Sequence, residues 1–540
     1  MIDLDILRRW CSHLVARVSL ARLEKARAYA RQRVSVENML AEFSHGQEAD
    51  FFSGTVLVDG TWDNPNHWAR YALLRRALGL SRAREIGLVG PFRSKECSQT
   101  FTRLGIKEIV SFDVSRKAQD CQDVARGLLS NVKSPRDILS WKLPHGFPPE
   151  FLYDGLLKRQ RAACVNLADP RLLGYVSELL GCLAVAEHLL KAYDFKLLVM
   201  SHVINFQYAA LAWMAVVRGI PVVALYGEFG VLRFVKFNRP EEMWETTNRP
   251  TKFDFEHLSP ECAASMATAG RAYIQKRRVG NTKELAAIYS YQKRQQLISR
   301  QDICAQFEWD PKRPIIAVYA SNWFDYPHMY GMSHFVDFLD WLKATIDAAN
   351  MNQSVNWLFK AHPCDDWYGG VTLSDLMPAH LLGHIQQVPK EWNGAALMDA
   401  VDGLVTYHGT AGIEFAAVGK PVLIADKGWY HELGIAKWPR SREEYLQSLA
   451  TEWWKDVDIS ETSRRAKILA GWHFCRPSWQ GGFILEDDPV QSPIYETLLD
   501  LWSKNQEVIA RELKTIRDWV ASPHRHYHTY KMGLAKEFSA

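Results

Sequence analysis

A chain of 540 residues, 47% of them hydrophobic, can bury more than one sizeable core, so two domains are expected. Its 65 Lys and Arg stand against 61 Asp and Glu, and the resulting charge of +4 is too balanced to argue for a nucleic-acid partner. The nine cysteines are odd in number, widely spaced and free of any C-x-x-C pair, which reads as reduced thiols in a cytosolic protein, neither a disulfide framework nor a zinc site.

Residues 1–45 read as a basic helical leader. Leu4, Leu7, Trp10, Cys11, Leu14, Val18 and Leu20 fall near helical spacing, while Arg8, Arg9, Arg17, Arg22, Lys25, Arg27, Arg31 and Arg33 crowd other positions. Such a helix either caps the fold with a solvated face or touches anionic lipid at the inner-membrane surface. No continuous apolar stretch of a secretory signal opens the chain. The uncharged run 197–217 is long enough to span a bilayer, but Ser201, His202, Asn205 and Gln207 interrupt it, so a buried strand followed by a buried helix is predicted.

From Gly54 onward strands and helices alternate, and residues 46–240 read as a Rossmann-like, doubly wound unit. Strands are predicted at 55–58, 86–89 and 107–112, with a helix at 68–78. The first strand runs into a polar turn, 59–67, at the sheet end where ligands usually bind; Asp63 and His67 are candidates there, with helix capping the simpler role for Asp63. Tyr153-Asp154-Gly155 is an acid in a glycine-broken segment followed by Lys158 and Arg159, a pattern that a paired surface carboxylate also explains. The strand 196–200 delivers Ser201-His202 to its carboxyl end, and the strand at 222–225 is followed by the glycine-flanked acid Glu228. Residues 241–305 lose the strand pattern, carry Pro250 and Pro260 as breakers just after Pro240, and read as a helical linker.

Residues 306–475 read as a second unit of the same kind. Its first strand, 314–320, precedes a turn containing Asp325, Tyr326, Pro327 and His328, then a helix at 335–349. The strand 355–359 ends at Lys360-Ala361-His362-Pro363, where Pro363 bars helix continuation; Lys360 can then serve as a point charge for phosphate and His362 as a directional donor. The strand 402–407 leads through Tyr407-His408-Gly409-Thr410-Ala411-Gly412 into the helix 413–418, which Gly419 ends before a strand at 421–425. Free N–H groups at that helix start, with glycines that admit close approach, make an anion site to which His408 and Thr410 add side-chain donors. Glu414 in the first turn suits a ribose diol, or else simply complements the helix dipole. Asp456-Val457-Asp458 follows no strand, so no essential metal is expected. Trp453, Trp454, Trp472, Trp479 and Trp502 are either a sugar-stacking platform or packing, and the helical region 476–540 is expected to pack back on the N-terminal domain.

The segments Lys360 to Pro363, Tyr407 to Glu414 and Gly419-Lys420-Pro421-Val422 resemble the donor half of bacterial capsule and surface-polysaccharide glycosyltransferases of the GT-B fold, in the group that includes Kdo transferases. The 324–328 turn with 335–341, Tyr153-Asp154, and Ser201-His202 with its helix ending at Gly219-Ile220-Pro221-Val222 look like the same group; together these segments touch about residues 150–435. The resemblance implies two Rossmann-like domains facing a cleft. It places a nucleotide-sugar donor, CMP-linked rather than UDP-linked, on the C-terminal domain, with Lys360, His362, Tyr407, His408, Gly409, Thr410, Gly412, Glu414, Asp325 and His328 as donor-site candidates. A glycan or lipid-linked acceptor falls to the N-terminal domain, with Asp63, His67 and Glu228 on that side, and Kdo or a related ulosonic acid is the implied sugar. Transfer needs a base or a carboxylate nucleophile, and Asp154 with His202 as its partner is the expected pair. No cofactor beyond the co-substrate and no nucleic acid are implied, and the expected location is the cytoplasm, peripheral to the inner membrane. A sugar-nucleotide epimerase of the same fold and a catalytically silent assembly subunit remain the alternatives.

Overall fold

The computed structural model describes residues 20–45, 52–91, 94–226, 232–245, 249–282, 285–291, 295–363, 365–475 and 494–534. Glu228, Trp479, Cys11, Cys364 and residues 1–19 of the leader lie outside the described residues.

In the N-terminal half, β1 (Thr55–Asp59), β2 (Arg84–Val89), β3 (Glu108–Ser111), β4 (Phe195–Met200) and β5 (Val222–Tyr226) pair in parallel. An antiparallel β6 (Arg233–Phe237) closes one edge, in the order β3-β2-β1-β4-β5-β6. These strands are apolar without alternation because both sheet faces are covered: Leu57 and Leu198 enter one core, Val56, Val58 and Val199 another. In the C-terminal half, β7 (Ile315–Tyr319), β8 (Asn356–Lys360), β9 (Ile385–Gln387), β10 (Gly403–Thr406) and β11 (Val422–Ile424) are all parallel, in the order β11-β10-β7-β8-β9. Two Rossmann-like, doubly wound units in one chain give the two-domain α/β architecture of the GT-B type, as the sequence predicts.

β6 and β9 go beyond the predicted strands. β6 reads Arg-Phe-Val-Lys-Phe, and its cations reach distant segments: Arg233 donates to the His473 carbonyl, and Lys236 Nζ to the Ser522 carbonyl at 2.6 Å. The uncharged run 197–217 resolves into β4 and the buried helix Phe206–Val217. The helix Leu172–Ala192 is long and apolar enough to cross a membrane by composition, yet 56% of its apolar window is buried, with Val176, Leu179 and Leu183 inside the N-terminal core.

Of the segment expected as a linker, the turn up to Trp244 packs on β6 and the helix Phe206–Val217, while the helices from Lys252 onward belong to the second unit. Its helix Pro260–Arg278 lies along Ile459–Phe474, and the contact is so close that a Cβ on Gly270 would run into the Lys467 carbonyl, and one on Gly471 into that of Met266. Met266, Ala269 and Ile274 are buried there. The small residues that permit this approach carry little hydrophobic signal, which is why composition alone reads as a linker. At the other end of the chain, Gln506–Ala521 packs on the helix Pro65–Leu78, and Tyr527–Leu534 on β6. Trp453, Trp472 and Trp502 are buried and Trp454 half-buried, so these rings are packing.

Besides the Arg233–His473 contact, the helix Pro149–Gln160 joins the two units where it meets the loop that follows β7. The Tyr153 hydroxyl donates to Asp337 at 2.6 Å, and Lys158 Nζ stands 3.4 Å from Asp325 amid the rings of Phe324, Tyr326 and Tyr368. Just beyond the helix, the Arg161 carbonyl accepts from Val371 N at 3.3 Å.

Candidate functional site

Ligands of open parallel sheets sit beyond the carboxyl ends of the strands, so those ends define the site. On the N-terminal side the anchor is Asp59, the last residue of β1 and fully buried. Its Oδ1 accepts from Thr61 N at 2.8 Å and lies 2.6 Å from Thr61 Oγ1; its Oδ2 accepts from Ser201 N at 3.0 Å and from the Ser201 hydroxyl. Thr61 Oγ1 also stands 2.9 Å from the Tyr208 hydroxyl. These bonds tie the β1 and β4 ends together and hold Trp62, whose ring stacks on His202 with centroids 4.4 Å apart and planes at 26°. Burial pushes the His202 imidazole down to about 4 against the opposing pull of Asp59, so the ring is neutral at ordinary pH. His67 is also buried and held below its ordinary value, and its Nε2 meets the Asp59 carbonyl at 2.7 Å, which makes it a framework donor.

Asp63 does not cap the next helix: Asn64 does, accepting from Asn66 N at 2.8 Å. Asp63 is gripped by Arg33 of the helix Leu20–Ser44 through contacts of 2.7 and 2.9 Å, and by Trp68 Nε1 at 3.2 Å. The basic leader therefore spends one of its arginines inside the fold.

On the C-terminal side, Lys360 ends β8 with its ammonium 5.1 Å above the Tyr319 ring. His362 is pushed down to about 4 by burial and by Lys360. His408 Nδ1 lies 3.1 Å from the Lys427 carbonyl, so Nδ1 carries the proton and Nε2 presents a lone pair; burial takes its pKa down to about 4. His408 is thus a neutral acceptor, where the sequence predicts a donor to phosphate. The turn that follows is built on glycine for lack of room: the Tyr430 hydroxyl donates to the Gly409 carbonyl at 2.7 Å, and a Cβ on Gly412 would run into that same hydroxyl. Thr410 is half-buried and stands at the N-cap of Ala411–Ala417.

Five predicted site residues have other work. The Tyr407 hydroxyl is buried and donates to Asp426 at 2.7 Å, which makes it framework. Glu414 faces away from the turn into the second core, where Arg277 donates to Oε1 at 2.8 and 2.5 Å and the Tyr291 hydroxyl to Oε2; a ribose would find no open carboxylate. Asp154 is fully buried and accepts from His328 N at 3.0 Å, His328 Nδ1 at 2.7 Å and Met329 N at 3.0 Å. It fastens the two units together, and the expected Asp154–His202 pair is not formed, because His202 lies in the Trp62 stack. His328 shares that clamp. Burial opposes its charge, but the Asp154 carboxylate holds the imidazole above its ordinary value. Asp325 likewise belongs to the junction, beside Lys158.

Sequence reasoning missed Asp59, Trp62, Asp426 and Arg249. Asp59 carries a usable signal, an acid closing an apolar strand. Asp426, at the end of β11, accepts from Ser333 N and His334 N, both at 2.6 Å, a pairing across 93 and 92 positions that no local pattern announces. Arg249 comes from the expected linker and donates to the Gly428 carbonyl at 2.9 Å, beside His408. A cavity of about 690 Å³ lined by Arg278, Tyr291, Arg300, Asn393 and Ala400 lies elsewhere, next to the start of β10, and takes no part in this site.

No protein-family profile matches the chain, and no curated protein does either. Among solved structures, the chain is similar to the Thermosulfurimonas dismutans KpsC beta Kdo 2,4 transferase at 13% identity, over 48% of this chain and 79% of that one, with a TM-score of 0.30. It is also similar to the Neisseria meningitidis UDP-GlcNAc 2-epimerase bound to UDP-GlcNAc, at 10% identity over 84% and 100% of the two chains, with a TM-score of 0.24. Arabidopsis thaliana UGT89C1 complexed with UDP gives 11% identity, 85% and 100% coverage, and a TM-score of 0.26. Likenesses at this level assign no residue and no substrate, and the site stands on its own geometry.

Proposed function

We propose that the chain is a glycosyltransferase: it binds a nucleotide sugar at the carboxyl ends of β8 and β10 and passes the sugar to an acceptor held by the N-terminal unit. The observation that carries this reading is the pairing of a lysine at the end of β8 with a glycine turn at the end of β10, on either side of β7. A cation at the end of β8 and the main-chain N–H groups that open the helix Ala411–Ala417 suit a phosphate, while Tyr430 takes the close approach that the glycines allow. His362 and His408 are neutral, so they orient sugar or base by hydrogen bonds, and the charge on the departing phosphate falls to Lys360 and the turn. On the acceptor side the neutral imidazole of His202, stacked on Trp62 at the end of β4, can orient the incoming hydroxyl by accepting its hydrogen bond. No metal is assigned a part, since Asp458 caps the helix Ile459–Phe474, accepting from Glu461 N at 3.1 Å.

The finer reading is a CMP-linked ulosonic acid such as Kdo, transferred to a bacterial surface polysaccharide or lipid-linked glycan; it is supported by the motif resemblance at 360–363 and 407–414. Contact of the N-terminal helix with anionic lipid is supported by Arg27 and Arg31, which stay exposed. Titration calorimetry with CMP and UDP in parallel tests the donor site. Lys360→Ala should weaken whichever nucleotide binds by about tenfold or more, the scale of a hydrogen bond to a charged group; unchanged affinity would sink the reading. Incubation with nucleotide sugars then separates activities, because an epimerase interconverts free donor whereas a transferase requires an acceptor.

A further inference from the structure

Trp62 is 38% exposed, although its ring already stacks on His202. Large rings left open to water are rarely held still, because exposure gives nothing to hold them. This one is held on both sides. Thr61 before it is bound to Asp59 and Tyr208, and Asp63 after it to Arg33 and Trp68. Capping the helix does not account for these bonds, because Asn64 caps it alone. Part of the indole thus stays open to solvent beside its stack on His202, at the carboxyl end of β1, next to the end of β4.

We infer that Trp62 is an acceptor subsite: its open part stacks on the apolar C–H face of a pyranose in the acceptor glycan. This rests on the transferase reading above and deepens it. His202 lies behind the indole, so the stacked sugar is not the one that reacts; it is a neighbouring residue of the glycan, and the chain must pass the edge of Trp62 for the next hydroxyl to reach His202. The acceptor is therefore an oligosaccharide of at least two sugars. A rigid aromatic is suited to this role because it loses little side-chain freedom when the glycan docks.

The test uses the full chain with lactose, maltose and chitobiose as probes, read by saturation-transfer NMR, and with CMP and UDP, read by calorimetry. Trp62→Leu keeps an apolar side chain on His202 but has no ring face, whereas Trp62→Tyr keeps a ring. At an unchanged melting temperature, Trp62→Leu should lower saturation transfer to the ring protons of a bound disaccharide at least threefold, Trp62→Tyr should retain most of it, and nucleotide affinity should stay within twofold in both. Equal sugar signals in wild type and Trp62→Leu would overturn the inference, as would the absence of signal from every disaccharide with wild type. Loss of CMP or UDP affinity in Trp62→Leu would overturn it too, by assigning the ring to the nucleobase. Failure of wild type to bind either nucleotide while the disaccharide effect persists would fault the donor reading alone.

Discussion

The domain junction and the strand-end rim are built from the same residue types and used in opposite ways. At the junction, Asp154 and Asp337 are buried; Asp154 accepts from donors on the loop that follows β7, and Asp337 from the Tyr153 hydroxyl. At the rim, His408 turns one nitrogen to a carbonyl and leaves the other as a lone pair, and Trp62 covers His202 with one face while part of its surface stays open. The difference teaches where to look for chemistry in such a chain: a buried acid whose oxygens are filled by its own fold is architecture, however suggestive its motif. Asp154 is the instructive case, since its place on a helix facing the other unit is equally what a nucleophile or a clamp would require.

The largest expected effect breaks the junction. Asp154→Ala strands a buried His328 and two main-chain donors, so chemical denaturation should show a loss of about 3–5 kcal/mol, the usual range when one partner of a buried pair is removed. Stability near that of wild type would show that the clamp is not closed in solution.

Acid sharpens the comparison because the two regions respond with opposite sign. His202, His362 and His408 have folded-state values of about 4, below the roughly 6.5 of an unfolded histidine. Their contribution is fully present above pH 6.5 and is lost as pH falls towards 4, because the unfolded chain takes up protons that the folded chain refuses. His328 is shifted upward, so its contribution is fully present below pH 6.5 and fades as pH rises through its folded value. Calorimetric melting should therefore show a drop on the acid side of pH 6.5 and a gentler decline on the alkaline side; His328→Gln should flatten the alkaline slope and leave the acid drop in place. An acid drop absent from wild type would mean that the rim histidines are not buried neutral.

The smallest effect concerns the support of the rim. Arg33→Ala removes a part-buried pair with Asp63 and should cost about 1 kcal/mol, with melting little changed. It should also loosen the turn that presents Trp62, which hydrogen–deuterium exchange would register as faster exchange over residues 59–67; unchanged exchange would show that Asp59 and Thr61 suffice.

Much of the fold is legible in the residues themselves. Val56-Leu57-Val58, Leu198-Val199-Met200 and Leu404-Val405-Thr406 announce buried parallel strands because they are apolar on both faces, and the glycine turn at 409–412 announces a close approach. Lys360, His362 and His408 can be placed at strand ends for the same reason: the strands before them are unmistakable. Three things were decided only in three dimensions. The protonation of His408 depends on a carbonyl nineteen positions away, the closure of Glu414 on Arg277 from a helix 137 positions earlier, and the role of Asp154 on a loop 174 positions later. Local pattern records which face a side chain takes on its own element; whether a polar group on that face meets a partner or a ligand depends on what the rest of the chain brings to it, and that is settled by packing.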